Sequence, residues 1–275
     1  MNSAIVYRGP SELDGAPIVV IATGFTGNSA NKKTGAVVNT WILRSDMEPT
    51  EARMTGADSS ICGNCRNRVG SCYVELYRAP LTIFRKFQRG EYQEVALIEL
   101  PSLTAGKPLR IGTYGDPAAV PHEVWDALVS RASHWTGYTH QWRTAKHLQW
   151  LCMASVDNAS ERAEAMAMGW RTFRVRVQDE PLLPSEFICP ASAEAGKKTT
   201  CEECNSCDGS RQQKGTPVII VHGITGKQRT FFWAHKMPHG DLATVSGELK
   251  RLGLAIDSTS PAAKLRRELY AKASA

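Results

Sequence analysis

Cys62, Cys65 and Cys72 stand two and six residues apart in the turn-rich stretch Ile61-Cys62-Gly63-Asn64-Cys65-Arg66-Asn67-Arg68-Val69-Gly70-Ser71-Cys72-Tyr73. A second group, Cys189, Cys201, Cys204 and Cys207, ends in two successive Cys-x-x-Cys spacings. Soft thiolates in such turns converge on zinc or on an iron–sulfur cluster. Three thiolates are one short of a closed set. Either another residue completes a structural zinc, with His122 and His222 as distant candidates, or one position stays open for chemistry. An open iron on a [4Fe-4S] cluster is the sharper reading. The group of four suits a structural Zn2+ or a fully ligated cluster, and the spacing signals metal without naming which. Cys152, alone in an apolar run, reads as inert core.

Length and composition bound the setting of these thiols. A chain of 275 residues buries a sizeable core without disulfide staples. The N-terminus shows no basic patch followed by an apolar run, and nothing approaches the roughly 18 apolar residues of a membrane helix. The expectation is a cytoplasmic protein without a membrane partner, where paired thiols bind metal or do redox work. The formal net charge of +6, from 33 Lys+Arg against 27 Asp+Glu, favours a phosphate-bearing partner mildly and is dispersed rather than striped. Nucleic acid is a candidate partner through Arg66, Arg68, Lys197 and Lys198 beside the two cysteine groups. The other candidates are a small molecule, a nucleotide or a peptide.

The elements around the cysteines follow from apolar patterning. Ala4–Tyr7 and Pro17–Thr23 read as strands. The Gly-rich stretch after Thr23 ends in Lys33-Thr34 but places Lys32 where a phosphate loop needs its second glycine, so a hairpin to a strand at Val37–Leu43 is expected instead. Met47–Arg53 reads as a short helix. From Tyr73 helical periodicity runs to Gly90, with Pro80 as a break or restart. Beyond Leu109 strands and helices alternate: Leu109–Tyr114, a helix from Pro121 to Val129, Trp135–His140, a helical linker at Arg143–His147, Trp150–Val156, a helix from Ser160 to Met168, and Trp170–Val177. Such alternation argues for a parallel sheet with right-handed crossovers. In the tail, Pro217–Gly223 and Arg229–His235 read as strands, and Asp241–Leu252 and Pro261–Lys272 as helices. The expected fold is α/β, a partial or complete β/α barrel-like parallel sheet with Cys-rich metal-binding insertions and an N-terminal β-rich segment. The expected division is residues 1–60 for that segment, 61–188 for the metal-binding core and 189–275 for the second cysteine group with terminal strands and helices.

Polar residues gather at the carboxyl ends of the alternating strands, the rim where parallel α/β proteins place ligands. Asp116, Tyr138, His140 and Asp157 are candidate catalytic groups; Thr113, Gly115 and Ser155 are candidate cofactor contacts. Tyr114 and Thr139 share the rim. Asp116 and Asp157 read equally well as helix caps, and His140 as a structural histidine.

Cys62, Cys65 and Cys72-Tyr73, then Arg110-Ile111 with Gly115-Asp116, Trp135 with Tyr138-Thr139-His140, Ser155 and Asp157, and the late Cys-Pro with Cys-x-x-Cys-x-x-Cys together resemble bacteriophage gene-product-88-like proteins, distant relatives of radical S-adenosylmethionine enzymes. The chain also looks like a phage-encoded family of unknown function, with Gly9-Pro10-Ser11, Thr23-Gly24 and Thr34-Gly35 near its start. The resemblance spans about Cys62 to Cys207. It implies that Cys62, Cys65 and Cys72 hold a four-iron cluster whose open iron binds S-adenosylmethionine, whose reductive cleavage gives a 5′-deoxyadenosyl radical. It implies a strand-end pocket and an auxiliary cluster on the later four cysteines. The spacing departs from the three-then-two usual in that family. A phage origin implies the host cell cytoplasm.

Overall fold

The N-terminal apolar runs form β1 (Ser3–Pro10), β2 (Pro17–Thr23) and β3 (Val38–Arg44). In β2 the run Ile18 to Ala22 is fully enclosed, as a strand covered on both faces must be, and each such side chain contributes about 1.5–3 kcal/mol. Short helices α1 (Pro49–Thr55) and α2 (Ser59–Cys62) follow, then α3 (Ala79–Gln88), β4 (Gln93–Glu94), α4 (Leu100–Thr104), β5 (Pro108–Tyr114), α5 (His122–Val129), β6 (His134–Thr139) and β7 (Met153–Val156). The chain continues through α6 (Ala159–Ala167), β8 (Thr172–Arg176), β9 (Glu186–Ile188), α7 (Cys201–Cys204), β10 (Thr216–Ile220) and α8 (Thr225–His235). This computed structural model describes residues 1–27, 34–210 and 215–235.

All ten strands join one sheet in the order β4-β1-β2-β3-β5-β6-β7-β8-β10-β9. The pairs β1·β2 and β2·β3 are antiparallel, and every other neighbouring pair is parallel. The fold is therefore α/β with a large, mostly parallel, open sheet. A complete barrel is ruled out, because β4 and β9 end the sheet unpaired with each other. The expected β2–β3 hairpin is present, with Ile18 opposite Arg44 and Thr23 opposite Asn39; residues 28–33 of the Gly-rich stretch lie outside the described residues. The helices expected at 241–252 and 261–272 lie outside them too. Strands from all three expected segments share the sheet.

Three local readings change. The helix expected from Tyr73 begins only at Ala79, with Pro80 in its first turn, because proline lacks the N–H a helix interior needs and is at ease at a helix start. The strand expected at Arg229–His235 is the end of α8. Its aromatic run suited a strand, but Phe231 and Phe232 pack with Val177 into a small separate core, one apolar stripe of a helix against the sheet end. The linker at Arg143–His147 contracts to a single 3-10 turn, Lys146–Leu148.

Along the parallel strands the two faces divide the labour. Leu109, Ile111, Val124, Trp125, Leu128 and Leu151 belong to the main core. On the other face, alternate residues of five strands, Arg110 and Gly112, Thr136 and Tyr138, Ser155, Phe173 and Val175, and Ile219, line a cavity. Period-two alternation places them there together.

Candidate metal and ligand cavity

The cavity measures about 390 Å³ and is lined by Cys62, Cys65, Cys72, Cys189, Cys201, Cys204 and Cys207 together. Both cysteine groups thus face one space against the sheet. All are free thiols, and Cys152 is buried in the core away from the lining.

The group of three sits in the connection between β3 and β5, the first two strands of the parallel run. Cys62 ends α2, Cys65 precedes a 3-10 turn over Arg66–Val69, and the Cys72 amide donates to the Asn67 carbonyl at 2.8 Å. Side chains from elsewhere stitch this loop down. Gln141, just past β6, accepts from the Asn64 amide at 3.2 Å and donates to the Cys62 carbonyl at 3.1 Å. Gly63 lies under that amide with φ +54, where a Cβ would meet the Gln141 Cδ at 2.4 Å, so only glycine fits. Arg68 donates to Asp58 at 2.5 Å and to the carbonyls of Gly63 and Gly56 at 2.8 Å each. It is a brace of the loop, a role its position beside the cysteines did not reveal.

The group of four enters from the far edge of the sheet. Cys189 follows β9, and its amide donates to the Val218 carbonyl at 2.8 Å. Cys201 and Cys204 begin and end α7, whose N-terminus carries a Thr200–Glu203 capping box. The Cys207 carbonyl accepts from the Gly137 amide at 3.0 Å, while Arg171 grips the carbonyls of Ser206 and Asp208 on either side of it.

The electrostatics mark two sets of mutually repelling thiols. Burial, then the charges of Cys65, Asp58 and Cys72, push the Cys62 thiol well above its ordinary value. Burial, then Cys65, raises Cys72 to about 11. Burial raises Cys207 to about 12, with the Tyr138 hydrogen bond pulling down and Cys189, Cys201 and Cys204 pushing up. Thiols so placed ionise together only beside a cation. Among the described residues no three Cys, His, Asp or Glu side chains stand together closely enough to hold a metal ion.

The rim residues separate into distinct roles. Asp116 is a clasp: its Oδ1 accepts from the Ala118 amide at 3.0 Å and the Thr139 hydroxyl at 2.7 Å, and its Oδ2 from the His140 amide at 2.7 Å. Both carboxylate oxygens are thereby committed, as the capping alternative anticipated. Burial nevertheless raises its pKa. Gly115, with φ +86, lets the chain pass Ile42, whose Cβ would lie 2.6 Å from an added Cβ. The Thr113 hydroxyl donates to Asn39 at 3.0 Å and Ser155 lines the cavity. Tyr138 stacks on Phe173 at 4.7 Å and bonds the Cys207 thiol; burial, then Cys207, raises its hydroxyl well above the usual phenol value.

His140 faces the loop that carries the trio, with its Nε2 3.4 Å from Asn67 Nδ2. Burial pulls its pKa down, but Cys65, Asp157 and Asp116 outweigh burial and raise it to about 10. Asp157 does not line the cavity; it meets His235 of α8 at 3.1 Å and acts on His140 through its charge. Of the histidines read as possible fourth ligands, His222 lines the cavity and lies 5.8 Å from the Tyr73 ring, whereas His122 sits on α5 beside His147, outside the lining.

Arg110 and Tyr114, named in the sequence without a role, also line the cavity. Arg110 points into it from β5, donating to the Tyr73 hydroxyl at 2.8 Å. The charges of Tyr73, then of Tyr138 and Cys201, raise its pKa against burial. The Tyr114 hydroxyl is buried without a hydrogen-bond partner among the described residues, and burial, then Cys62, raises it well above the usual value. Alternation along β5 did mark Arg110 as facing away from Leu109 and Ile111; nothing local showed what it would meet. In comparisons with protein-family models, with curated proteins and with solved structures, nothing matches this chain.

Proposed function

We propose that this chain is an iron–sulfur protein resembling radical S-adenosylmethionine enzymes, in which Cys62, Cys65 and Cys72 hold a [4Fe-4S] cluster with one iron open to the cavity. The observation that carries the reading is the convergence of all seven clustered thiols on one cavity of about 390 Å³, large enough for a small ligand beside the metal. The donor set is chemically apt: thiols alone, Cys189 buried and the other six half-buried, with the Tyr114 hydroxyl, unpartnered among the described residues, near Cys62 as a hydrogen-bond donor toward sulfur. In this reading the parallel run from β3 to β9 is a partial β/α barrel whose interior is the cavity, and the cysteine loops are its metal-binding insertions. Cys189, Cys201, Cys204 and Cys207 hold a second, fully ligated cluster.

Bound there, the open-iron cluster would supply the electron for reductive cleavage of S-adenosylmethionine. The chain's own groups do the rest. Gln141 fixes the cysteine loop, Asp116 fixes Thr139 and the His140 backbone, Thr113, Gly115 and Ser155 bound the pocket, and Tyr138 and His140 are the candidate proton-transferring groups. Cys65, then Asp157 and Asp116, favour the charged form of His140. The substrate is a small molecule, nucleotide or peptide, and the setting is the cytoplasm, that of a host cell if the gene is a phage's.

A zinc-stabilised nucleic-acid-binding protein is the competing reading. Its basic residues are less free than their positions suggested, since Arg68 is spent on Asp58 and two carbonyls and Arg66 approaches Glu161 at 3.9 Å.

The open iron is tested by electron paramagnetic resonance of the anaerobically prepared, reduced protein. Adding S-adenosylmethionine should shift the spectrum of one cluster, and Cys72→Ala should lose both that cluster and the shift. A spectrum indifferent to S-adenosylmethionine would contradict the open site.

A further inference from the structure

Several buried and half-buried arginines among the described residues are tied to carboxylates, and the half-buried Arg110 is not. Arg44 pairs with Asp46, Arg68 with Asp58, Arg171 with Asp208, Arg174 with Glu186 and Arg176 with Glu194. Arg110 has no such partner among the described residues: its Nη2 donates to the Tyr73 hydroxyl at 2.8 Å, and its Nε, sealed from solvent, donates to nothing. A guanidinium turned into a cavity without an anion is costly, because desolvation is not offset. Its planar fork is shaped for two oxygens of one carboxylate or phosphate.

Its place narrows what the anion belongs to. Arg110 lies mid-sheet on β5, between Tyr73, which adjoins Cys72, and Cys201 of the other group. Tyr138, on the neighbouring strand, faces the same space. An anion held here sits between the two thiol sets rather than on either.

We propose that Arg110, assisted by Tyr73, binds a carboxylate or phosphate of a small-molecule substrate and so makes this cavity selective for anionic substrates. This rests on the cavity being the substrate site of the proposed function. Arg110 is a binding residue, holding the substrate's charged end while the rest of the molecule lies toward Cys62, Cys65 and Cys72.

The test uses the full chain with its metals, prepared anaerobically, and titrates pyrophosphate and succinate separately at matched ionic strength, reading the thermal midpoint, which ligand binding raises. At least one anion should stabilise the wild-type protein. Arg110→Gln should weaken that binding by about tenfold to a hundredfold, as loss of a charge-assisted pair does, and Arg110→Lys should restore part of it. A stronger response to pyrophosphate identifies a phosphate, and to succinate a carboxylate. Equal binding in Arg110→Gln, or no binding by the wild type, would overturn the proposal. Metal content is measured on every variant: if Arg110→Gln sheds metal from the group of four, the arginine is a counter-charge for thiolates and the proposal fails. If the wild type holds no iron yet binds the anion through Arg110, the iron–sulfur reading fails and this one stands.

Discussion

At the scale of single residues, the account turns on which side chains hold metal and which only hold the loop. Cys72→Ala should remove the metal of the first group and leave that of the second, measured as metal and sulfide per chain; loss of neither would show that the three cysteines are not a ligand set. His140→Ala should leave metal content unchanged, because an open iron does not need the imidazole. If metal is lost instead, His140 is the fourth ligand beside Cys65 and the site is closed. Gly115→Ala should destabilise the protein by roughly 1–3 kcal/mol in urea, the cost of holding a side chain at positive φ, and by more if Ile42 cannot move. An unchanged midpoint would show that β5 yields there. The thiols were legible in the sequence because Cys-x-x-Cys spacing carries its own chemistry. The approach of His140 to the cysteine loop at Asn67 was not, since it spans two connections of the sheet and depends on Asp116 holding the His140 amide and Gln141 holding the loop.

At the scale of elements, local patterns named most strands correctly and failed where packing decides. The stretch 73–78 carries helical spacing yet stays outside α3, because the cysteine loop and the Arg110 contact at Tyr73 hold it off the helix. The Phe231-Phe232-Trp233 run reads as strand by composition and is helix because one stripe covers Val177. Nor did alternation in β8 reveal that its outer face carries Arg174 and Arg176, which bind Glu186 and Glu194 in the approach to the second cysteine group. Glu186 joins Arg174 at 2.7 Å and Arg162 at 3.3 Å with its side chain fully enclosed. Removing one partner of a buried pair costs about 3–5 kcal/mol, so Glu186→Ala should lower stability by that order in urea. Burial pushes this carboxyl up, but hydrogen bonds from Arg174 and the Leu183 amide outweigh it and hold the group below its ordinary value. A depressed carboxyl stabilises the fold above its unfolded pKa, about 4.3 for glutamate, and the contribution is lost as pH falls through the folded value. The wild type should therefore lose stability below about pH 4 more steeply than Glu186→Gln; parallel profiles would show that the pair carries little.

At the scale of the whole molecule, the open parallel sheet brings cysteines from two distant stretches to one face and encloses about 390 Å³ between them. The α/β class was legible from the alternation of strands and helices. The meeting of the two groups was not, because it is set by the order in which β9 and β10 join the sheet, β10 lying inside β9. Among the described residues no helix is long and apolar enough to cross a membrane. The central claim is that this shared cavity houses iron–sulfur chemistry, and the most direct measurement is iron, acid-labile sulfide and zinc per chain in protein purified anaerobically. The account predicts a brown protein with iron and sulfide in equal amounts, at least about four of each for one cubane cluster and about eight for two. A colourless protein carrying stoichiometric zinc and no iron would contradict it.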